Sequence, residues 1–508
     1  MSRKPSKPAI PTLNDRAAGL LLHLTSLAGA YGTGDLGHPA LGLVNWLKKA
    51  GFRWWQMLPI TPASPENSPY ESISAFAGWH ALISLEALVD DGLLTREELA
   101  AAEQLPTHAA SFTQAQQLRY DLLQTAFQRF EKDECYAAFL DRESAWLGDW
   151  CLHEAIRTTQ HGKPWHQWPE PLRLRRPKAI DEARVELAQP IAFHAFVQFT
   201  FERQWHRLRQ AAHDAGIGLI GDVPIFVGMD AADVWAHREL FDLEPDGSPK
   251  AISGVPPDMF SDTGQVWDHP LYRWAEHEHT NYAWWAQRMR RTLNQFDAVR
   301  IDHFLGFCRN WAIPAKTRDA RDGKYRPGPG SAFFASLVEQ LGPMPVIAED
   351  LGVVTDEARA LRDAMKFPGM SVTQFGFDEP DAEHAPHNHP RHAVAYTGTH
   401  DNDTLHGYYQ TTSAKTQQRI LAYTGGTPDN VAHDLTRITL ASPATTAIIP
   451  PQDLLNLDTS HRMNVPGKKR GNWTWRLDQN LLTPELAHKL HTLNEATGRL
   501  PKPKPAKK

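Results

Sequence analysis

Short apolar runs of strand length recur along the chain, each followed by turn-forming residues and separated from the next by amphipathic stretches. Eight of them, at residues 19–24, 54–58, 218–223, 298–301, 346–348, 371–375, 393–396 and 445–449, are predicted strands. Apolar residues at near-helical spacing predict helices at 41–50, 193–215 and 331–340. Strands alternating with helices in this way predict an α/β chain folded as a (β/α)8 TIM barrel.

Two connections are too long for plain crossovers. Residues 61–192 are rich in helix formers, at 96–104, 115–132 and 133–157, which predicts a largely helical subdomain. Residues 225–296 are dense in Gly, Pro, Asp and aromatics between 245 and 272, which predicts mobile loops over one face of the barrel. The barrel is therefore expected over residues 15–500, interrupted by large, mainly helical insertions at 61–192 and 225–296. Disordered segments are expected at 1–14 and in the basic tail, 501–508. No internal repeat is evident.

Composition narrows the partners. At 508 residues, with 41% hydrophobic and 22% charged, the chain has an ordinary folded composition. A net charge of -6 leaves no basic footprint for nucleic acid and no polybasic anchor for a membrane. No apolar run approaches the ~20 residues of a spanning helix. Cys135, Cys151 and Cys308, without CxxC spacing, indicate neither a disulfide framework nor a zinc site. The polar N-terminus lacks the apolar core of a signal peptide. A cytoplasmic monomer or weak homodimer that handles a neutral, polar small molecule is expected. Seventeen Trp residues suit sugar rings, whose apolar faces stack on indole. Most of the Trp residues are expected in the core, with Trp267, in a Gly/Pro-rich stretch, the candidate platform.

Four carboxylates sit just after short apolar runs: Asp222 after Leu219-Ile220, Asp302 after 298–301, Glu349 after 346–348 and Asp401 after 393–396. Parallel strands closed into a barrel discharge their C-terminal ends onto one face, so these acids are expected to share a site. Paired Asp and Glu in a cleft are the chemistry of glycosidic bonds. Strand alternation puts Arg300 and Asp302 on the same side, where the cation holds the carboxylate ionised; a purely structural ion pair is the alternative. Glu349 is followed by Asp350, whose charge favours a protonated neighbour suited to acid catalysis. Either of the two fits the functional acid. Asp401 follows His400 in the polar loop 397–403, where the pair is suited to bonding sugar hydroxyls and stabilising positive charge on the ring. A metal site of His400, Asp401 and His303 is the rival, with no HExxH spacing behind it. For Asp222, substrate contact and a structural role at the strand end are equally open. No Gly-rich phosphate cradle appears, and no cofactor is expected.

These segments, together with Gly32-Thr33-Gly34-Asp35-Leu36-Gly37, Asn67-Ser68-Pro69-Tyr70, Gly254-Val255-Pro256-Pro257-Asp258-Met259-Phe260, Thr263-Gly264-Gln265-Val266-Trp267 and Arg462-Met463-Asn464-Val465-Pro466-Gly467, carry a resemblance. From residue 19 to about 477 the chain resembles the amylomaltases, the 4-α-glucanotransferases of the α-amylase clan. The resemblance implies transfer of α-1,4-glucan segments from a maltodextrin to the 4-hydroxyl of another glucan or glucose by a retaining double displacement. It implies Asp302 as nucleophile, Glu349 rather than Asp350 as general acid and base, and Asp401 as transition-state stabiliser. Arg300 and His400 would support them, and Tyr70, Asp222, Gln265 and Trp267 would contact glucan. His303, beside Asp302, joins this substrate-binding set, and the loop 254–260 would arch over the acceptor path. An α-1,4-glucan hydrolase on the same barrel is the alternative. The chain departs from the family pattern at Trp79-His80, where Asn-Pro is commoner, and at Asp268-His269, where Gly-Asn is commoner. The departures bear on acceptor preference and loop mobility.

Overall fold

The computed structural model describes residues 9–64, 66–100, 102–257, 262–468 and 470–501. Residues 1–8 and 502–508 of the expected disordered ends lie outside the described residues, as do 258–260 of the loop 254–260.

Each of the eight predicted runs overlaps a strand: β1 (Ala17–Leu21), β2 (Trp54–Gln56), β3 (Gly218–Pro224), β4 (Ala298–Asp302), β5 (Val346–Ala348), β6 (Gly369–Val372), β7 (Ala393–Tyr396) and β8 (Thr446–Ile449). They pair in parallel in the order β6-β7-β8-β1-β2-β3-β4-β5. The ring closes between β5 and β6, where the Ala348 N–H donates to the Pro368 carbonyl at 2.9 Å. Beyond that bond a side chain continues the ladder, the Met370 N–H donating to the Asp350 carboxylate at 2.8 Å.

Glycines make room for the bulk of the barrel wall. Trp54 lies in register with Gly19 on β1 and Gly218 on β3. A Cβ at Gly19 would sit 2.5 Å from the Trp54 Cβ, and one at Gly218 would sit 2.4 Å from its ring. Thirteen of the 17 Trp side chains are buried, as expected of a residue that contributes large apolar area. Deeper in the mouth the lining turns polar: the Tyr396 hydroxyl on β7 donates to Gln56 on β2 at 2.8 Å, a bond across the barrel rather than between neighbouring strands.

The first long connection is helical, with helices Leu85–Asp90, Phe112–Arg129, Glu134–Arg142, Ser144–Thr159 and Pro177–Glu186 ahead of the 28-residue helix Ala188–Ala215. That helix stops at Gly216, whose left-handed φ of 79° turns the chain into β3. Trp79 of the first unusual pair is buried here and stacks on Phe112 at 5.7 Å, so this departure is absorbed in packing.

The second connection differs from expectation. Ala251–Val255 and Gln265–Pro270 are strands of a separate four-stranded antiparallel sheet, completed by Arg309–Pro314 and Lys324–Pro327 from the connection after β4. Lys324–Pro327 is exposed throughout and Gln265–Pro270 only half-buried, so neither carries an apolar run for the pattern to reveal. At the N-terminus Leu13 is buried and Arg53 donates to the Ala9 carbonyl at 3.0 Å. Within residues 9–14 Pro11 and Leu13 are buried, while Ala9, Thr12 and Asn14 are exposed.

Candidate active site

The register of β3 and β4 places Asp222 opposite Arg300. Arg300 Nη1 donates to both Asp222 oxygens, at 2.9 and 2.8 Å, and Nη2 reaches Asp302 Oδ1 at 2.9 Å. The Tyr70 hydroxyl donates to Asp222 Oδ2 at 2.8 Å. One buried guanidinium therefore holds two carboxylates, of which Asp222 has 0% side-chain exposure and Asp302 has 30%. Burial alone would lower the Arg300 guanidinium, but Asp222 and Asp302 hold it well above its ordinary range, so it stays charged. Burial pushes Asp222 up to about 7 against the pull of Arg300. Asp222 is thus a fully buried partner of both Tyr70 and Arg300.

Glu349 follows β5 and is gripped by backbone. His303, at the end of β4, has a left-handed φ of 52°, which aims its N–H at Glu349 Oε2, 2.8 Å away. The Leu351 N–H meets Oε1 at 3.3 Å. Burial pushes the Glu349 carboxyl up to about 8; Arg300 opposes this, and Asp302 and Asp350 add to it. The shift favours the protonated form. Burial, rather than the neighbouring Asp350 charge, is the larger contributor. Asp350 itself is bound to Arg362 and to the Met370 N–H, closing the barrel seam.

Asp401 and His400 follow β7. His400 Nε2 lies 3.4 Å from Asp401 Oδ2, Asn464 Nδ2 donates to Asp401 Oδ1 at 2.6 Å, and Arg462 donates to the Asp401 carbonyl at 2.9 Å. Tyr70 stacks on His400, with ring centroids 5.0 Å apart and planes 15° from parallel, and Trp473 packs 5.9 Å from each ring. Burial lowers His400, which favours its neutral form. Sequence reasoning assigned no role to Asn464, Arg462 or Trp473. They lie in an aperiodic polar stretch after β8, where the family-like motifs Arg462-Met463-Asn464 and Gly471-Asn472-Trp473 were the signals that pointed there.

Trp267 lies on the strand Gln265–Pro270 rather than in a loop. Its ring meets His303 edge-on at 4.8 Å and 87°, and its Nε1–H donates to Gln265 Oε1 at 3.2 Å. Tyr70, Asp222, Arg300, Asp302, His303, Glu349, His400 and Asp401 thus form one connected cluster, which Trp267 joins through His303; Gln265 stands one step further out as the group that orients Trp267. Among the described residues no group of three His, Cys, Asp or Glu side chains is arranged to hold a metal ion.

A part-exposed carboxylate fixed by a guanidinium, beside a buried carboxyl whose protonated form is favoured, is the pairing that cleaves glycosidic bonds. A profile described as 4-alpha-glucanotransferase matches residues 22–482. The chain belongs to this family. It is 44% identical over 500 residues to the 4-alpha-glucanotransferase of Thermus thermophilus, covering 96% of this chain and 99% of that one. It is 41% identical over 469 residues to the 4-alpha-glucanotransferase of Aquifex aeolicus (strain VF5), covering 92% and 96%. Among solved structures it resembles the amylomaltase from Streptococcus agalactiae in complex with acarbose, with 34% identity, a TM-score of 0.93 and coverage of 96% and 100%. The chain is a glycosyl-transferring enzyme of the 4-alpha-glucanotransferase family acting on α-glucans, and this membership supports transfer over the hydrolase alternative.

Proposed function

We propose that the cluster at the barrel mouth carries out glucan transfer by a retaining double displacement with Asp302 as nucleophile. An Asp302 oxygen attacks the anomeric carbon of an α-1,4-linked glucose while Glu349 gives its proton to the leaving O4. The C1–O4 bond breaks, a glucosyl ester forms on Asp302, and the reducing-end fragment departs. Glu349, now a carboxylate, takes the proton of an incoming 4-hydroxyl, whose oxygen displaces Asp302 from C1. Asp401, oriented by Asn464 and His400, stabilises the positive charge that develops on the ring. Tyr70, Trp267, His303 and His400 contact the sugar, and Asp222 and Arg300 hold the nucleophile in place.

The observation that carries this reading is the division of environment between the two acids. Asp302 is paired to a buried cation and part-exposed, while Glu349 is buried and pushed up to about 8. The reaction needs no cofactor. We place the protein in the cytoplasm, as a monomer or weak homodimer.

Incubation with maltotriose tests the reading. Glucose together with a ladder of longer maltodextrins is the expected product set, and products no longer than the substrate would overturn it.

A further inference from the structure

The second unusual pair, Asp268-His269, is not absorbed by packing as Trp79 is. Asp268 has a φ of +68°, a conformation that a residue with a Cβ rarely adopts, although Asp tolerates it better than most. Its carboxylate is ion-paired with Arg318, which also has a positive φ, +49°, and stands between the strands Arg309–Pro314 and Lys324–Pro327. The pair ties the strand that carries Trp267 to the neighbouring turn. The two neighbours of Asp268 both lie beside the barrel mouth, one next to His303 at the end of β4 and one next to Phe226 just after β3. Trp267 meets His303 edge-on, while the His269 ring lies 6.3 Å from Phe226 and feels the Asp302 carboxylate.

His303 is the residue whose N–H grips Glu349. Groups packed around that clamp flank the acid, which must sit beside the leaving oxygen. Tyr70, Trp473 and His400 lie together about Asp401, on the other part of the site. We propose that His269 is a specificity-determining residue on the leaving-group and acceptor side, hydrogen-bonding a hydroxyl of the sugar that departs from and returns to Glu349, with Asp268–Arg318 as the latch that holds it there. The inference rests on the glucan-transfer reading and extends it to one residue of the acceptor position.

The state of the ring suits the task. The His269 ring is half-buried, and its Nδ1 is sealed without a partner. Sealing a bare lone pair is less costly than sealing an unbonded N–H, so the proton belongs on Nε2, which becomes a donor for a sugar oxygen. Burial lowers the ring to about 4, with Asp268 and Asp302 opposing it, so it is neutral at physiological pH. A cation so close to Asp302 would draw down the neighbouring Glu349 carboxyl and disarm it; a neutral donor does not.

The test uses the full chain with maltotriosyl fluoride as donor and glucose as acceptor, following fluoride release and transfer product separately. For His269→Ala, loss of one hydrogen bond predicts an acceptor KM raised about two- to tenfold, and a transfer-to-hydrolysis ratio lowered by a similar factor. His269→Gln keeps an N–H donor near the position of Nε2 and should recover most of the loss, which separates a lost bond from a damaged fold. Arg318→Ala should shift the acceptor KM in the same direction and by less. An unchanged acceptor KM in His269→Ala, or a fall in fluoride release equal to the fall in transfer, overturns the proposal. If the unaltered protein releases fluoride but forms no transfer product, the glucan-transfer reading itself fails, a result distinct from failure of His269 alone.

Discussion

The barrel mouth and the four-stranded sheet beside it differ in how their side chains are held. At the mouth, Arg300 is buried and spends its donors on Asp222 and Asp302, Tyr70 adds a third bond, and backbone N–H groups grip Glu349. Each group there is fixed by several others. On the sheet, Asp268 and Arg318 are 47% and 58% exposed, and Lys324–Pro327 is open to solvent along its length. Ion pairs in such surroundings are worth at most about 1 kcal/mol, whereas an unpaired charge left in a buried network costs several. The mouth holds its groups in one geometry, and the sheet leaves its charged pairs open to solvent.

That contrast is sharpest in substitutions of the acids. Asp302→Asn should lower kcat roughly 10^4- to 10^6-fold, the scale of removing a nucleophile. Its thermal midpoint should stay close to that of the unaltered protein, because Arg300 keeps Asp222 as its buried partner. Steady-state kinetics with a calorimetric scan checks both.

Glu349→Gln should cost about 10^2- to 10^4-fold on maltotriose, the range for a general acid. A donor such as maltosyl fluoride, whose leaving group needs no proton, should restore the first step. The same group sets a pH limit. Donor cleavage requires the protonated form, which is full below about 8 and is lost as pH rises through it, so kcat/KM should fall on the alkaline side. In Glu349→Gln that alkaline limb should vanish. A limb that persists would assign it to another group.

The smallest effect is expected on the sheet. Arg318→Ala should change global stability by less than about 1 kcal/mol, measured by urea denaturation. A larger loss would mean that the sheet supports the barrel, and the contrast between the two regions would not hold.

The same contrast explains what the sequence revealed. Asp222, Asp302, Glu349 and Asp401 each sit just after a short apolar run, and the geometry of a closed parallel barrel then brings them to one face whatever their separation in the chain. Arg300 and Asp302 share a side through simple alternation. Asp350 was ambiguous because its partner, the Met370 N–H, lies across a seam that local pattern does not register. The four-stranded sheet escaped notice because its strands are short, half-exposed and drawn from two different connections, one before β4 and one after it. Asn464 was passed over for a similar reason, since it meets Asp401 from a segment 63 residues away that belongs to no periodic element. Glycosidic chemistry was thus legible in the strand ends, the preference for transfer rested on resemblance, and the rim that flanks the acceptor needed coordinates.

Trapping the glycosyl-enzyme tests the central claim most directly. Glu349→Gln, incubated with maltosyl fluoride and no acceptor, digested and read by mass spectrometry, should carry a maltosyl ester on the peptide containing Asp302, with fragmentation assigning it to that side chain. A label on Asp222 or Asp401, or turnover of the fluoride with inversion and no label, would contradict the account.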